Sequence, residues 1–308
     1  MTTASRSPSS KNAPQGSDLG PRCKLAAGLY LVGTPIGNLG DISPRALSVL
    51  ENADLVLCED TRVGQKLLSA HGLHARTESY HEHNAKGMQP RILDFLQKKL
   101  AIALISDAGM PTISDPGEGL VKLAREAGQA VTVIPGPSAV LTALALSGLP
   151  SGRFLFIGFL PNRSAARRQA IAEFAAVPAT LILFESAPRL PGCLADLAEM
   201  LGPREASVLR ELTKLHEEAR PGSLPELAAH YGKTGAPKGE IVIVIGPPPS
   251  VELAGDEEVC ARLKLELTRS TLRDASAVIA AQTGRAKRDV YALAVALSRE
   301  SSADDQND

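Results

Sequence analysis

The sequence predicts an α/β protein with two consecutive α/β domains and a small helical extension at the C-terminal end. Short β-branched or leucine-rich runs alternate with helical patterns, which is typical of strands joined by helices. A Gly/Pro/Ser cluster at "LSGLPSGRF" (Leu146 to Phe154) separates these runs into two sets of four. Because 44% of the 308 residues are hydrophobic, each half can bury a core of its own.

Apolar runs mark the predicted strands. Those of the first half are "GLYLVG", "ADLVLCED", "AIALISDAG" and "VTVIPGP", and those of the second half are "RFLFIGFLP", "ATLILFES", "ASVLREL" and "EIVIVIGPP". Unbroken apolar runs between turns predict strands that are buried on both faces. Ser43 and Pro44 form a typical helix start after the first strand. We expect an N-terminal domain at 26–151 and a C-terminal domain at 152–248.

The chain after "GPPPSVE" predicts a helical extension over residues 252–300. "LRDASAVIAAQTGRAKRDVYALAVAL" has the pattern of two helices joined at "QTGRAK", where Gly284 ends the first. Eight Lys and Arg residues against three acidic ones between Arg262 and Arg299 make this region locally basic. The charge predicts either an RNA-contacting hairpin or a solvated packing or dimerisation element. Residues 1–25 and the acidic residues 301–308 are predicted to be disordered tails.

The composition narrows the class of protein. No apolar run reaches the roughly 18 to 20 residues of a membrane span, and the first residues lack the apolar core of a signal peptide, so we expect a cytoplasmic protein. Cys23, Cys58, Cys193 and Cys260 form no C-x-x-C pair, which disfavours a zinc ribbon or a disulfide framework. No metal is expected. The net charge of −1 restricts any nucleic-acid surface to a local one.

Loops rich in glycine, proline and charged residues follow the predicted strands. They are "GTPIGN", "CEDTR", "SDAGMPTISDPGEG", "PGPSAV", "FESAPR" and "RELTK". "GTPIGN" matches neither the Rossmann nor the P-loop pattern, but Gly33 and Gly37 allow close approach of the backbone. Because ligands of α/β sheets bind beyond the carboxyl ends of the strands, these loops predict one binding crevice.

Two of these loops carry residues with a competing structural role. Asp107 and Asp115 could accept hydrogen bonds from an amine or a ribose, although we expect Asp115 to cap a helix that begins at Pro116. Ser138 and Ala139 head a helix whose free N–H groups could bind a carboxylate, or Ser138 could act only as the helix cap.

Charged and histidine-containing segments give further candidates. "CEDTR" places Glu59, Asp60 and Arg62 directly after a buried strand, as a charge cluster for a polar substrate or as a helix cap. "YHEHN" lacks the spacing of a helical zinc pair, which favours a substrate-facing or surface loop. The chain has no G-x-S-x-G elbow, so Ser/His/Asp hydrolysis is disfavoured.

The motifs resemble a known family when they are taken in order. From Gly28 to Gly246, "LVGTPIGNLGDISPRAL", "CEDTR", "LISDAGMPTISDPG", "IPGPSAVLTALALSGLP", "FIGFLP", "FESAPRL", "RELTKLHEE" and "GEIVIVIG" resemble the tetrapyrrole-methylase fold. Within that fold they resemble the ribosomal RNA small subunit methyltransferase I family, whose members methylate a ribose 2′-hydroxyl of 16S rRNA. The C-terminal extension is also similar to that family's.

This resemblance implies a two-domain tetrapyrrole-methylase-like fold that holds S-adenosylmethionine between the domains, and a homodimer. The implied substrate is a cytidine in the decoding region of 16S rRNA, free or in the small ribosomal subunit. With 3% aromatic residues and no Trp, base stacking is scarce, so recognition should depend on phosphate, 2′-hydroxyl and shape.

The resemblance also implies which residues contact the cofactor. The Gly-Asp-Pro of tetrapyrrole enzymes stands here as Gly109, Met110 and Pro111, so a carboxylate is missing and Asp107 becomes the candidate polar contact. The implied cofactor residues are Pro35, Asp107, Ala108, Gly109, Met110, Ile113, Ser138, Ala139, Phe184, Glu185, Leu212 and Glu240.

Methyl transfer from a sulfonium depends on positioning, and a ribose hydroxyl needs a base to remove its proton. The candidate bases are Asp107, Glu59, Asp60 and Glu185. Arg62 and Lys214 could hold phosphates or the developing charge, or could be structural ion-pair partners.

Two other functions compete with this one. A methyltransferase of porphyrin precursors could use the same fold, but "SDAGMPTISDPG", "EDTR" and the basic extension exceed what a small tetrapyrrole requires. A non-catalytic RNA-binding assembly protein would be expected to have degraded cofactor loops, and these loops are intact.

Overall fold

A computed structural model describes residues 25–249 and 255–304 of the chain. The chain divides into two compact units, Met1–Pro247 and Pro248–Asp308. The predicted tail at 1–25 lies outside the described residues up to residue 24, and the predicted tail at 301–308 lies outside them from residue 305. Across the described ranges, no helix is both long enough and apolar enough to cross a membrane.

The first sheet is entirely parallel. Its strands are β1 (Gly28–Val32), β2 (Leu55–Cys58), β3 (Thr77–Ser79), β4 (Ala101–Ile105) and β5 (Val131–Ile134). They lie in the order β3-β2-β4-β1-β5. The connecting helices are α1 (Pro44–Asn52), α2 (Thr61–Ala70), α3 (Glu82–Gln97) and α4 (Glu118–Glu126). Strand β3 was not predicted, because its three half-buried residues are too short a pattern to detect.

Helices cover both faces of this sheet, so its central strands are buried throughout. Leu29 and Leu31 of β1 pack in one core cluster and Tyr30 and Val32 in another, as alternation along a strand requires. The prediction of two-sided burial is therefore confirmed for β1, β2 and β4. It is wrong for the edge strand β5, where Val133 is 48% exposed, and for the strand Phe154–Phe159 of the second sheet, whose two end residues are 43% and 58% exposed.

The second sheet is mixed. Its strands are β6 (Phe154–Phe159), β7 (Thr180–Ser186), β8 (Glu205–Arg210), β9 (Glu218–Ser223) and β10 (Glu240–Ile245). They lie in the order β6-β7-β10-β8-β9, and only β6 and β7 are parallel neighbours. The edge strand β9 was not predicted. Its polar sequence includes Pro221, a residue that sheets accept at an edge because the missing N–H is not needed there.

Helices of both predicted domains cover the second sheet. One face packs against α6 (Ser164–Phe174), α7 (Leu190–Leu201) and α8 (Leu224–Thr234). The other face packs against α5 (Ala139–Ser147), which is the last helix of the predicted N-terminal domain. Ala143 and Leu144 of α5 share a core cluster with Ile182 and Val244 of the sheet. Both sheets thus belong to one compact unit.

The second unit is a small bundle of α9 (Asp256–Glu266), α10 (Leu272–Thr283) and α11 (Lys287–Asp304). Val259, Ile279, Val290 and Ala294 contribute to its own apolar core. The predicted end of α10 at Gly284 is confirmed, since this glycine forms the left-handed C-cap with φ +68°. Helix α11 continues four residues beyond the predicted end of the extension at 300.

Candidate binding site between the two sheets

A cavity of about 780 Å³ lies between the loops of the first sheet and those of the second. Its lining comes from the loops that follow β1, β4, β5 and β8, from the last residues of β6 and β7 and the segment after β7, and from the residues that precede and begin β10. The lining residues are Ile36, Asp107–Met110, Ile113–Asp115, Ser138–Val140, Phe159, Phe184–Pro188, Leu212 and Pro237–Val242. The predicted convergence of loops from both halves on one crevice is therefore present in the structure.

The loop after β1 packs tightly against the loops after β4 and β5. Thr34 and Gly109 exchange backbone hydrogen bonds of 2.9 and 3.2 Å, and the Thr34 hydroxyl also donates to the Ser106 carbonyl at 3.2 Å. Gly33 and Gly136 meet backbone to backbone, with no room for a Cβ on either residue. These contacts fix the wall of the cavity at the carboxyl ends of three neighbouring strands.

The segment 106–119 has a strained backbone. Thr112 and Ser114 have φ values of +76° and +64°, which L-residues rarely adopt, and Gly109 has φ +80°. Ser114 and Gly109 both line the cavity. Backbone strain of this kind persists only where surrounding contacts enforce it, and it concentrates at functional sites.

The expected capping role of Asp115 is wrong. Helix α4 begins at Glu118, and Gly117 occupies its N-cap with φ +140°. Asp115 instead lines the cavity, close to the carboxyl group of Glu59. Burial and the nearby Glu59 carboxylate raise the pKa of Asp115 to about 6. Burial, followed by the charge of Asp107, also raises the pKa of Glu59.

Asp60 and Arg62 form a local structural pair. The Asp60 side chain caps α2 by accepting from the Arg62 N–H at 2.8 Å, and it accepts from the Arg62 guanidinium at 2.6 Å. These hydrogen bonds lower the pKa of Asp60 to about 2. The Arg62 side chain is 86% exposed and does not line the cavity. The Asp60 N–H donates to Asp107 Oδ1 at 3.1 Å, which orients the Asp107 carboxylate at the cavity.

Ser138 heads α5 at the cavity. Its hydroxyl accepts from the Leu141 N–H at 3.5 Å, so Ser138 acts as the N-cap of this helix. Ser138 and Ala139 nevertheless both line the cavity. The first turn of α5 therefore presents its backbone N–H groups to this space.

Glu185 at the end of β7 is a buried carboxylate in the cavity wall. It is 3% exposed. Its Oε1 accepts from the Ser186 N–H at 2.7 Å and lies 3.1 Å from Arg189 Nε. Its Oε2 is buried without a hydrogen-bond partner among residues 25–249 and 255–304. An unpaired buried oxygen is costly, so this atom is poised to accept from a ligand donor.

The loop after β8 completes the opposite wall. Leu212 lines the cavity between Glu211 and Thr213, whose φ values are +52° and +66°. Lys214 does not line the cavity and donates to Glu211 and Glu240, both at 3.0 Å. The geometry therefore supports a structural ion-pair role for Lys214.

The predicted cofactor residues are brought together almost completely. Each of them except Pro35 lines the cavity; Pro35 is buried, and its neighbour Ile36 contributes to the wall. Of the predicted catalytic residues, Asp107 and Glu185 line the cavity, Glu59 reaches it through Asp115, and Asp60, Arg62 and Lys214 do not line it.

Some lining residues were missed. Asp115 was assigned to a helix cap, Ser186–Pro188 were named only as part of the loop "FESAPR", and Pro237–Gly239 were not considered. Gly239, directly before β10, has φ +102°, and a Cβ there would lie 2.5 Å from Glu211 Cγ. A glycine immediately before a predicted strand was the available signal for this close approach.

The histidines of "YHEHN" lie at the start of α3. His81 is the N-cap of α3, and its ring centroid lies 6.0 Å from that of His83. In the part of the chain that the structure describes, no group of three or more His, Cys, Asp or Glu residues is placed to bind a metal ion.

Comparison with known proteins agrees with this architecture. The family model "Tetrapyrrole (Corrin/Porphyrin) Methylases" matches residues 28–228, and "RsmI C-terminal HTH domain" matches residues 254–298. A solved structure of uroporphyrin-III C-methyltransferase from Thermus thermophilus, complexed with S-adenosylhomocysteine, has a TM-score of 0.50 and 20% identity. That likeness covers 70% of this chain and 96% of the other, and it confirms the predicted fold.

Curated relatives are more similar in sequence. Ribosomal RNA small subunit methyltransferase I of Mesorhizobium japonicum is 49% identical over 274 residues, covering 88% of this chain and 92% of the relative. The protein of the same name from Erythrobacter litoralis is 47% identical over 275 residues, covering 89% and 96%. The chain therefore belongs to the ribosomal RNA small subunit methyltransferase I family, within the tetrapyrrole methylases.

Proposed function

We propose that this protein transfers a methyl group from S-adenosylmethionine to the ribose 2′-hydroxyl of a cytidine in the decoding region of 16S rRNA. The observation that carries the proposal is the cavity between the two sheets, whose lining includes eleven of the twelve expected cofactor residues. The names of the curated relatives support rRNA of the small ribosomal subunit as the substrate. Such a substrate would put the enzyme in the cytoplasm.

The residues of the cavity fit the cofactor. Its volume of about 780 Å³ is within the range of roughly 300 to 1,000 Å³ for small-molecule sites. The unpartnered Oε2 of Glu185 offers a buried acceptor, and the first turn of α5 offers donors. Apolar side chains such as Met110, Ile113 and Leu212 offer contact surface. The proposed cofactor contacts are the predicted set, with Ile36 in the place of Pro35.

S-adenosylmethionine, when bound, supplies a methyl group on a positively charged sulfur. The protein's own contribution is mainly to hold both reactants in line, and effects of this kind reach about 7 to 11 kcal/mol in well-oriented intramolecular reactions. The lining comes from seven stretches of the chain, with 107–115 counted as one, and several of them are held by hydrogen bonds and strained turns, so the site is largely formed before a ligand enters.

The Asp115–Glu59 pair is the proposed base. Asp115 lines the cavity beside the carboxyl group of Glu59, and two carboxyl groups this close can share one proton. A carboxylate with a raised pKa accepts a proton near neutral pH better than an ordinary one. Asp60 is a poorer candidate because Arg62 holds its carboxylate. Glu185 is already engaged with Ser186 and Arg189.

A homodimer is proposed from exposed apolar side chains of the first unit. Val133 on the edge strand β5, Leu141 on α5 and Phe154 on the edge strand β6 are 48%, 55% and 43% exposed. Large apolar side chains of this kind are typical of association surfaces when they adjoin. Sedimentation of the wild type and of Leu141→Glu tests the dimer, because a buried charge would dissociate it.

The central experiment offers the purified protein small ribosomal subunits, free 16S rRNA and a porphyrin precursor, each with labelled S-adenosylmethionine. We expect label in rRNA, and we expect the modified nucleotide to resist alkaline cleavage because its 2′-oxygen is blocked. Glu185→Gln should bind the cofactor at least tenfold more weakly in calorimetric titration, whereas the exposed Glu199→Gln should bind it normally.

Other outcomes would contradict the proposal. Label in the porphyrin precursor and none in rRNA would indicate a tetrapyrrole methyltransferase. Absence of cofactor binding by the wild type would indicate a non-catalytic RNA-binding protein.

A further inference from the structure

We propose that Arg210, Arg220 and Lys238 form a subsite for backbone phosphates of the substrate RNA, next to the methyl-donor cavity. The inference rests on the proposed function, because it assigns a role in holding that substrate. The three residues surround a second cavity of about 330 Å³. Glu218, His230 and Tyr231 complete its walls together with the segment 234–237.

The subsite lies at the same end of the second sheet as the first cavity. Strand β8 ends at Arg210 and is followed within two residues by Leu212, which lines the first cavity. Strand β10 begins at Glu240, just after Lys238. Pro237 and Lys238 line both cavities, so the two spaces are adjoining. A polynucleotide could therefore place one nucleotide at the first cavity and a neighbouring phosphate at the second.

The charge of the subsite is positive. Glu218 Oε2 accepts from Arg210 Nε and Nη2, both at 3.1 Å, and Glu218 Oε1 accepts from Arg220 Nη2 at 2.9 Å. One carboxylate thus orients two guanidinium groups and neutralises only one of them. Lys238 is exposed and has no ion-pair partner within the described ranges. The three cations and the one anion leave an excess of positive charge.

The Arg220 guanidinium group also retains unused donors. Arg220 Nε is buried and has no hydrogen-bond partner among the residues that the structure describes. The Arg220 side chain as a whole is 41% exposed and lines the second cavity, so an anion there can reach the outer nitrogens of its guanidinium group. Nη2 donates to Glu218, and the further N–H groups of the exposed guanidinium can donate to an anion in the cavity.

The chemistry of these groups favours phosphate over other anions of the cell. Arg220, held by Glu218 through Nη2, presents further guanidinium N–H donors that match phosphate oxygens. Arg210, whose fork is engaged by Glu218 and the Lys238 carbonyl, adds positive charge. The cavity is open to solvent and polar, as a site for a backbone segment should be. With few aromatic residues for base stacking, contacts to phosphate must supply much of the affinity for RNA.

The test compares the wild type with Arg220→Gln and Arg220→Lys, and with Arg125→Gln as a matched control on α4. Binding to small ribosomal subunits is measured by filter retention at several salt concentrations, together with kcat and KM for methylation. Arg220→Gln should weaken binding about tenfold or more and flatten the slope of log K against log salt by about 0.7 to 0.9. Its kcat and its affinity for S-adenosylmethionine should stay as in the wild type, and Arg125→Gln should match the wild type throughout.

The Arg220→Lys variant distinguishes the loss of phosphate contacts from a folding defect. Arg220→Lys keeps the charge and loses the fork, so its salt slope should equal that of the wild type while its binding is weaker. Wild-type binding and salt slope in both Arg220 variants, with methylation continuing, would overturn the subsite and leave the proposed function intact. The subsite would also be overturned if the Arg220 variants lost affinity for polyglutamate but not for small ribosomal subunits. That result would indicate an acidic protein as the ligand. Failure of the wild type to methylate rRNA would instead overturn the proposed function.

Discussion

Gly33 and Gly136 pack backbone against backbone where the loop after β1 meets the loop after β5. A Cβ added to Gly33 would lie 2.7 Å from Gly136 Cα, and a Cβ added to Gly136 would lie 2.8 Å from Gly33 Cα. Real Cβ atoms do not approach other atoms so closely. The loop after β1 therefore requires glycine at position 33, because a side chain there would separate two loops that border the candidate cofactor site.

Gly136→Ala should destabilise the protein, because the new methyl group meets backbone that cannot turn aside. We expect the free energy of unfolding to fall by about 1 to 3 kcal/mol, as for other overpacked sites. Urea unfolding followed by circular dichroism measures this change. The matched control is Gly87→Ala in α3, where a Cβ meets no atom within 4 Å. The control should gain about 0.4 to 1 kcal/mol, and an equal loss in both variants would contradict the packing argument.

Because of Asp115, the free energy of unfolding should fall as the pH rises from about 4 to about 6. Its pKa is about 6 in the folded protein against 3.8 in its ordinary state. The folded state therefore holds the proton more tightly, so this contribution to stability is complete below about pH 4 and is lost as the pH rises through 6. Asp115→Asn has no such titration. Relative to this variant, the wild type should lose stability between pH 4 and pH 6 in urea unfolding.

Asp60→Asn is the control for that experiment. The hydrogen bonds from Arg62 lower the pKa of Asp60 to about 2, so its contribution is lost only as the pH falls below about 4. Asparagine also caps helices as well as aspartate does. Equal profiles for wild type and Asp115→Asn above pH 4 would show that Asp115 does not carry the shifted proton.

Asp196 anchors α6 to α7 through a buried ion pair. It accepts from Arg167 Nε at 2.7 Å and from the Ser164 hydroxyl at 2.9 Å, and its side chain is 5% exposed. Asp196→Ala would leave the Arg167 charge buried and unpaired, so we expect a loss of about 3 to 5 kcal/mol in chemical unfolding. The exposed pair of Asp94 and Lys98 provides the control, since Asp94→Ala should cost at most about 1 kcal/mol. Similar losses in both variants would refute the burial argument.

Cys58 should be chemically inert in the folded protein. Burial, followed by the charge of Asp107, raises the pKa of its thiol to about 12, so almost no thiolate exists at pH 8. Iodoacetamide labelling followed by mass spectrometry should modify the half-buried Cys260 first and Cys58 only after denaturation. Labelling of Cys58 at the rate of Cys260 without denaturant would contradict this.

Much of the fold could be predicted because its signals are local. The central strands β1, β2 and β4 are unbroken apolar runs, and Gly284 ends α10 through its own backbone freedom. The edge strands β3 and β9 were missed because a strand at an edge needs little apolar surface. Their pairing depends on neighbours that are distant in the sequence.

The amino-acid sequence by itself determined the α/β class, the helical extension and the loops that form the candidate site, because periodicity and turn residues act over a few neighbouring positions. Only the tertiary structure decided which polar residues of those loops work together. Asp115, which was expected to cap a helix, lies beside Glu59 instead. Arg62 donates to Asp60 and does not line the cavity. Proton sharing and ion pairing depend on distances between side chains that folding brings together, and no local pattern encodes those distances.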